Sequence, residues 1–421
     1  MPLHMTWLLL TIYLLFFSWL LLRIPFIRQT GLPPVWIIGL FLLKVAAGMA
    51  YGWFHTTLPN YTNEADTWKF FFEGKEQTRL LLQDPLAFLR EVVENPYGKK
   101  YRHLFSAVNS YWNDLKHLYM VKLVSLFNLF TGSRYYVNVI FYSFLTFFGP
   151  VAFLRVMNDV FPERLYLLTA ATFLFPSFLF WSSGIHKDGL VFMLMALAIY
   201  HFHFGLRHKH MTYQTWLWVA LLVALIFPVR NYVVLALLPG FAAWWLAERF
   251  FRTRWIAFLL VTVVGTTLFF GTKFINPKVD LPIAIVMRKL EFLKLGGQSM
   301  LPQRELKPNF LSFVKNAPQA INHSLVRPYL TEIASPLYFV CAVEIFVVWL
   351  LVFTWFFRYT ENPYRHSVVL FLFLVGMVLL LLTGYIVPQL GAIVRYRSIF
   401  FPLLLVPIVA TIKWRTNILK I

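Results

Sequence analysis

The sequence predicts an all-α polytopic membrane protein. Three observations carry this. The chain of 421 residues is 59% hydrophobic and only 13% charged, too apolar for a soluble fold of this size. Several apolar runs approach or exceed about 18 residues, enough to cross roughly 30 Å of hydrocarbon as a helix. The runs lack the short alternating segments that mark a membrane barrel.

Eleven spanning helices follow from the apolar runs. They are placed at 5–23, 35–54, 136–156, 165–182, 188–205, 214–229, 232–248, 255–272, 336–356, 367–387 and 397–412. Met1 to Phe26 lacks an early charge and a small-residue cleavage site, so it reads as a retained helix. The chain reads as one transmembrane domain, 1–421, without internal repeats. The single cysteine, Cys341, excludes an internal disulfide and a cysteine-based metal site.

Orientation follows from Lys and Arg in the short connections. Arg23, Arg28, Arg155, Arg164, Arg207, Lys209, Arg249, Arg252, Arg254, Arg358 and Arg365 fall in alternate loops, with Lys413, Arg415 and Lys420 in the tail. That side is taken as cytoplasmic, which places the N-terminus outside and the C-terminus inside. The run Leu118–Thr131 would invert every later loop if it crossed, so it is expected to be interfacial or re-entrant. The net charge of +20 is explained by topology and contact with membrane lipids, not by nucleic acid.

Two long polar segments then lie outside, 55–135 and 273–335, each with amphipathic in-plane helices. In "QTRLLLQDPLAFLREVVE", the residues Leu80, Leu81, Leu86, Phe88, Leu89 and Val92 suit a helix on the membrane plane. The segment "PNFLSFVKNAPQAINHSLVRPYL" mixes apolar and basic residues in the same manner.

Exceptions to the charge rule mark candidate site residues. Lys187, Arg230, Arg395 and Arg397 fall in short outer connections, each where two apolar runs meet. Cations with apolar walls suit the phosphate of a lipid. Arg395 and Arg397 would point the same way only if "VRYRS" were extended. In "SSGIHKDG", Lys187 and His186 are candidates to face that phosphate, with Asp188 fixing them; Asp188 also suits a helix first turn. Asn231 follows Arg230 in the same connection.

The acids Glu64 and Asp66 lie in "NYTNEADTWKFFFEG", an acid-x-acid pair among aromatics. Such a pair suits a general base, a divalent metal, or both. Tyr61 and Trp68 are candidates to stack on a sugar. Glu344 and Lys44 lie inside apolar spans, where ionisable residues point to function.

Many spans, an acidic pair early in a large outer segment, in-plane helices and outer cations together resemble the GT-C superfamily of membrane glycosyltransferases. "PSFLFWSSGIHKDGLVF" resembles a signature of family-39-like mannosyl- and aminoarabinosyltransferase relatives, and "GAIVRYRSIFFPLLL" is similar to their closing Arg-bearing segment. The likeness covers roughly residues 35–412. It departs from the pattern by an extra early helix, by E-x-D in place of an adjacent pair, and by the lack of a large soluble C-terminal domain.

The resemblance implies an inverting glycosyltransferase of the cell envelope, in the bacterial cytoplasmic (inner) membrane with its active site outward. It implies a polyprenyl-phosphate sugar donor and a glycan, lipid or protein acceptor. Asp66 (or Glu64) would be the catalytic acid of the first outer segment. Lys187, Arg230, Arg395 and Arg397 would hold the donor phosphate. A divalent metal, Mg or Mn, at Glu64 and Asp66 is compatible with this chemistry. Two other readings are an O-antigen-type polymerase or ligase, relying on the arginines and a later base such as His323, and a lipid-linked glycan transporter or flippase.

Overall fold

The computed structural model describes residues 3–58, 61–94, 111–207, 211–276, 279–297, 299–332, 336–359 and 365–414, without the side chains of Leu3, Tyr61, Asn63 and Asn113. Among these residues the chain is helical and forms no strand. In order the helices are α1 (Leu3–Arg23), α2 (Pro25–Arg28), α3 (Pro34–Thr56), α4 (Tyr61–Glu64), α5 (Asp66–Gln83), α6 (Pro85–Arg90) and α7 (Tyr111–Thr131). Next come α8 (Tyr135–Val160), α9 (Leu165–Phe173), α10 (Pro176–Ser183), α11 (Lys187–Arg207), α12 (Tyr213–Ile226), α13 (Asn231–Arg249) and α14 (Arg254–Ile275). The last are α15 (Leu281–Lys294), α16 (Phe310–Ile321), α17 (Pro336–Arg358), α18 (Ser367–Ile386), α19 (Leu390–Ser398) and α20 (Phe401–Thr411).

Each of the eleven expected segments is helical. Seven helices (α1, α3, α8, α11, α14, α17 and α18) are long and apolar enough to cross a membrane, and the count reaches nine if two bent pairs each count as a span. These helices point to an integral membrane protein. Among the described residues, seven to nine of the eleven expected segments therefore meet that test of length and composition. The difference is α12, only 14 residues long, and α13, which carries Pro239 inside it and ends on Glu248 and Arg249.

The bends have identifiable causes. The pair Pro162–Phe173 and Pro176–Ser183 bends by 61°, and the pair Leu390–Ser398 and Phe401–Thr411 by 58°. Pro176 and Pro402 stand at the start of the second half of each pair. Proline donates no backbone N–H and pushes the preceding residue out of helical geometry. Asp84 stops α5 and caps α6, its carboxylate accepting from Ala87 N at 2.9 Å. That break falls where Pro85 interrupts the amphipathic pattern.

The chain groups into two compact units that interleave along the sequence. The first is Met1–Val156, Leu179–His201 and Tyr213–Asn231; the second is Met157–Phe178, Phe202–Thr212 and Tyr232–Ile421.

In the first unit α5 packs closely on α7. A ladder of buried amides and hydroxyls fixes their register. Asn138 Nδ2 donates to Asn128 Oδ1 (2.7 Å), and Asn128 Nδ2 donates to Thr78 Oγ1 (3.2 Å). Lys122 on α7 reaches Gln77 Oε1 (2.6 Å), the Phe88 carbonyl (2.7 Å) and Glu91 Oε2 (2.8 Å). Burial pushes its pKa down, and Glu91 pulls it partly back. All this holds α5 in place, and α5 begins with Asp66. Leu86 and Leu89 of α6 are exposed, as an in-plane helix requires.

The second unit is built on α18, which packs against α14, α15, α16 and α20. Phe241, Trp244 and Phe371 stack at its centre, with Phe241 and Phe371 rings 5.0 Å apart. Two backbone bonds, Leu301 N to Pro388 O and Leu390 N to Ser299 O, both 2.9 Å, tie the segment 273–335 to the start of α19.

Candidate functional site

The turn between α10 and α11 carries the site. Its backbone is pinned by Tyr142 of α8. The Tyr142 hydroxyl donates to the His186 carbonyl and accepts from Leu190 N at 3.1 Å. Two glycines let the turn close. A Cβ on Gly184 would run into the Tyr51 ring, and one on Gly189 into the Ser182 carbonyl. The Ser182 carbonyl also accepts from Lys44 Nζ at 2.9 Å. Lys44 is thus buried at the C-terminal end of α10. It is held by its own partners and does not snorkel.

Pinned this way, the turn aligns four ionisable side chains. Asp66 Oδ2 lies 3.0 Å from His186 Nε2. His186 Nδ1 lies 2.8 Å from Asp188 Oδ2. Asp188 Oδ1 pairs with Arg230 Nη2. The side chains of His186 and Asp188 are fully buried, whereas that of Asp66 is 45% exposed. The result is a relay with one end open. A solvent-reachable carboxylate is backed by an imidazole, a buried carboxylate and a buried guanidinium.

The chemistry of this row is constrained. Both imidazole nitrogens lie within 3.0 Å of a carboxylate oxygen, but only the Nε2–Asp66 approach has hydrogen-bond alignment; Nδ1 and Asp188 meet as a close charge contact. A proton arriving at Asp66 therefore has a hydrogen-bonded partner behind it. Arg230 compensates the charge of Asp188, which an apolar interior would otherwise not tolerate.

The helix ends agree with the charges. Asp66 occupies the first turn of α5 and Asp188 that of α11, where the helix dipole favours acids. Lys187 is half-buried, with Nζ 5.2 Å from the Phe70 ring centre. Phe70 also lies beside His186, ring centres 6.1 Å apart.

Several expectations change. Arg230 does not stand ready for a phosphate, because its guanidinium engages Asp188. Trp68 is not a sugar platform. It is buried, stacked on Tyr135 at 4.0 Å, and its indole N–H donates to the Gly52 carbonyl at 3.0 Å. It anchors the start of α5 instead. The Tyr61 side chain lies outside the described residues. Glu64 is exposed on the short α4, apart from the relay as drawn by these contacts. Asn231 opens α13 and is half-buried.

Glu64 and Asp66 are not joined by a third ligating side chain: among the described residues no three His, Cys, Asp or Glu side chains gather around a point. Asp66 Oδ2 is already held by His186.

The remaining candidates lie in the second unit. "VRYRS" is helical, within α19, so Arg395 and Arg397 diverge and do not form a two-arginine clamp. Arg395 is half-buried and lies over Tyr396, whereas Arg397 is fully buried. Arg397 Nη1 donates to the Arg327 carbonyl; Nε and Nη2 have no hydrogen-bond partner among the described residues. Glu344 on α17 is buried, and its Oε2 accepts from Ser177 N at 2.6 Å at the start of α10. His323 is buried and 3.3 Å from Gln303 Nε2. Burial first, then Arg327 and Lys289, push its pKa down to about 4. A base that is closed off in this way suits the polymerase-type reading poorly.

Sequence reasoning missed Tyr142: a single tyrosine within an apolar span carries no pattern of its own. No family model matches this chain, and no curated protein or solved structure is significantly similar to it.

Proposed function

We propose that the chain is an inverting glycosyltransferase. It moves a sugar from a polyprenyl-phosphate donor to an acceptor hydroxyl at the outer face of a bacterial inner membrane, within a GT-C-like bundle of eleven spans. The observation that carries this reading is the Asp66–His186–Asp188–Arg230 row, with only its Asp66 end open to solvent. Asp66 takes the proton from the acceptor hydroxyl. The freed oxygen forms a bond to the anomeric carbon, and the bond from that carbon to the phosphate oxygen breaks. The polyprenyl phosphate leaves with the electron pair. A single displacement inverts the centre.

The buried row positions the base. His186 fixes Asp66 Oδ2, Asp188 fixes His186, and Arg230 keeps Asp188 ionised. Lys187, next to His186, faces the donor phosphate and stabilises the charge that develops there. The acceptor is a glycan, a lipid or a protein.

The test is transfer from radiolabelled polyprenyl-phosphate sugars by reconstituted protein. Asp66→Asn is expected to lower the rate by roughly 10²- to 10⁴-fold, the usual contribution of a positioned base, while Glu64→Gln leaves it unchanged. Full transfer by Asp66→Asn sinks the proposal.

A transporter or flippase is the second reading. The two sharply bent helix pairs favour it, since broken spans line many transport sites. Movement of labelled lipid across sealed vesicles, without sugar transfer, would select it.

A further inference from the structure

The second unit contains a groove that the proposed transfer reaction does not use. Its volume is about 430 Å³. The bent pair α9–α10, with α17 and α20, forms its walls. Leu174, Phe175, Val343, Val347 and Leu405 represent that lining, and Glu344 is its one ionisable residue. Phe339, Val340 and Val343 stand exposed along α17, on a helix long and apolar enough to cross a membrane. The groove therefore opens toward hydrocarbon.

Glu344 is the feature that needs an explanation. It is only 4% exposed. One carboxylate oxygen accepts from Ser177 N; the other, Oε1, has no hydrogen-bond partner among the described residues. A buried acceptor left unmatched in an apolar wall is costly. Pockets that bind small molecules combine apolar walls with one or a few such polar points.

We infer that this groove binds a single-chain lipid alcohol, its hydrocarbon chain along the apolar walls and its hydroxyl donating to Glu344 Oε1. Each part of the ligand answers a part of the groove. Apolar walls facing hydrocarbon select an alkyl or isoprenyl chain. An unmatched acceptor selects a donor at the end of that chain. Charge narrows the choice further. A fully ionised anionic headgroup offers no donor to Glu344 Oε1. A cationic one gains little, because Arg397 already supplies positive charge near Glu344. A neutral hydroxyl fits both. The inference is independent of the transfer reaction assigned to the first unit.

Photolabelling of the purified full-length protein in nanodiscs tests it, using a long-chain alcohol that carries a diazirine and an alkyne. Labelled peptides are expected from α9, α10, α17 and α20. Excess hexadecanol should compete, whereas hexadecyl phosphate and hexadecylamine should not. Glu344→Leu should weaken labelling by roughly tenfold, the size of a lost buried hydrogen bond. Glu344→Gln keeps an acceptor and should label near the wild-type level. Ala170→Phe fills the groove while leaving Glu344 in place, and should abolish labelling even if Glu344→Leu fails to fold. Even labelling of all lipid-facing helices overturns the inference. So does labelling unchanged by Ala170→Phe, or competition by the phosphate or the amine as strong as that by the alcohol.

Discussion

Arg230 and Arg397 are both arginines buried where a helix starts or stops, and they are stabilised in different ways. Arg230 meets Asp188 directly, and Asp188 meets His186. Arg397 rests on a backbone carbonyl, with Nε and Nη2 unmatched, and the Oε1 of the nearby Glu344 is unmatched as well. The first arrangement joins charges of opposite sign directly, which fixes geometry. The second leaves donors and an acceptor unused, which leaves room for another molecule. Buried charges in one chain can thus serve as a frame in one region and as a vacancy for chemistry in another.

The largest effect expected from this contrast comes from Asp188. Asp188→Asn leaves Arg230 buried without its counter-charge, and breaking a buried pair this way costs about 3–5 kcal/mol. Thermal unfolding of the detergent-solubilised variant reads it. Replacing both partners, Asp188→Leu with Arg230→Leu, should recover much of that loss, since two unpaired groups are removed together. A stable Asp188→Asn protein would break the contrast.

A smaller effect is expected from His323, which sits among the cations of the second unit. The fold holds its pKa at about 4, below the ordinary value near 6.5. Between those values the unfolded chain binds more protons than the folded one. Stability is therefore complete above about pH 6.5 and declines as pH falls toward 4, with a loss on the order of 2 kcal/mol at pH 5. Unfolding midpoints across that range measure it, and His323→Gln should flatten the profile.

The smallest effect is expected at Arg397. Replacing it with Met removes a charge that makes no ion pair among the described residues and gives up the bond to the Arg327 carbonyl and the contact with the Phe401 ring. The expected change is within about 1 kcal/mol. A loss as large as that of Asp188→Asn would show that Arg397 is matched as tightly as Arg230.

Much of this was legible in the sequence, for a physical reason. Spanning helices are specified by long apolar runs, which is local information. Asp66, His186, Asp188 and Arg230 stood out because each breaks such a run or lies just beyond one. Their joining into one row was not legible. Asp66 and His186 are 120 positions apart, and Asp188 and Arg230 are 42 apart, so no periodicity relates them. Trp68 was misread for a similar reason. An aromatic beside an acid looks like a sugar platform, and only the distant Tyr135 shows that its face is taken. Pro176 and Pro402 announce the two bends, but an apolar run continuing past a proline still reads as one span.

The closely packed turn has an evolutionary consequence. Gly184 and Gly189 have no space for a side chain, His186 and Asp188 each complete a contact, and Tyr142 clamps the turn from another helix. Substitution at any of these positions disturbs the others. Divergent descendants that keep the proposed transfer should therefore carry G-x-H-K-D-G as a block, while the surrounding apolar residues drift freely. Arg230 should vary only in step with Asp188, the two changing together or not at all. That covariation offers a way to trace the lineage after overall similarity has faded.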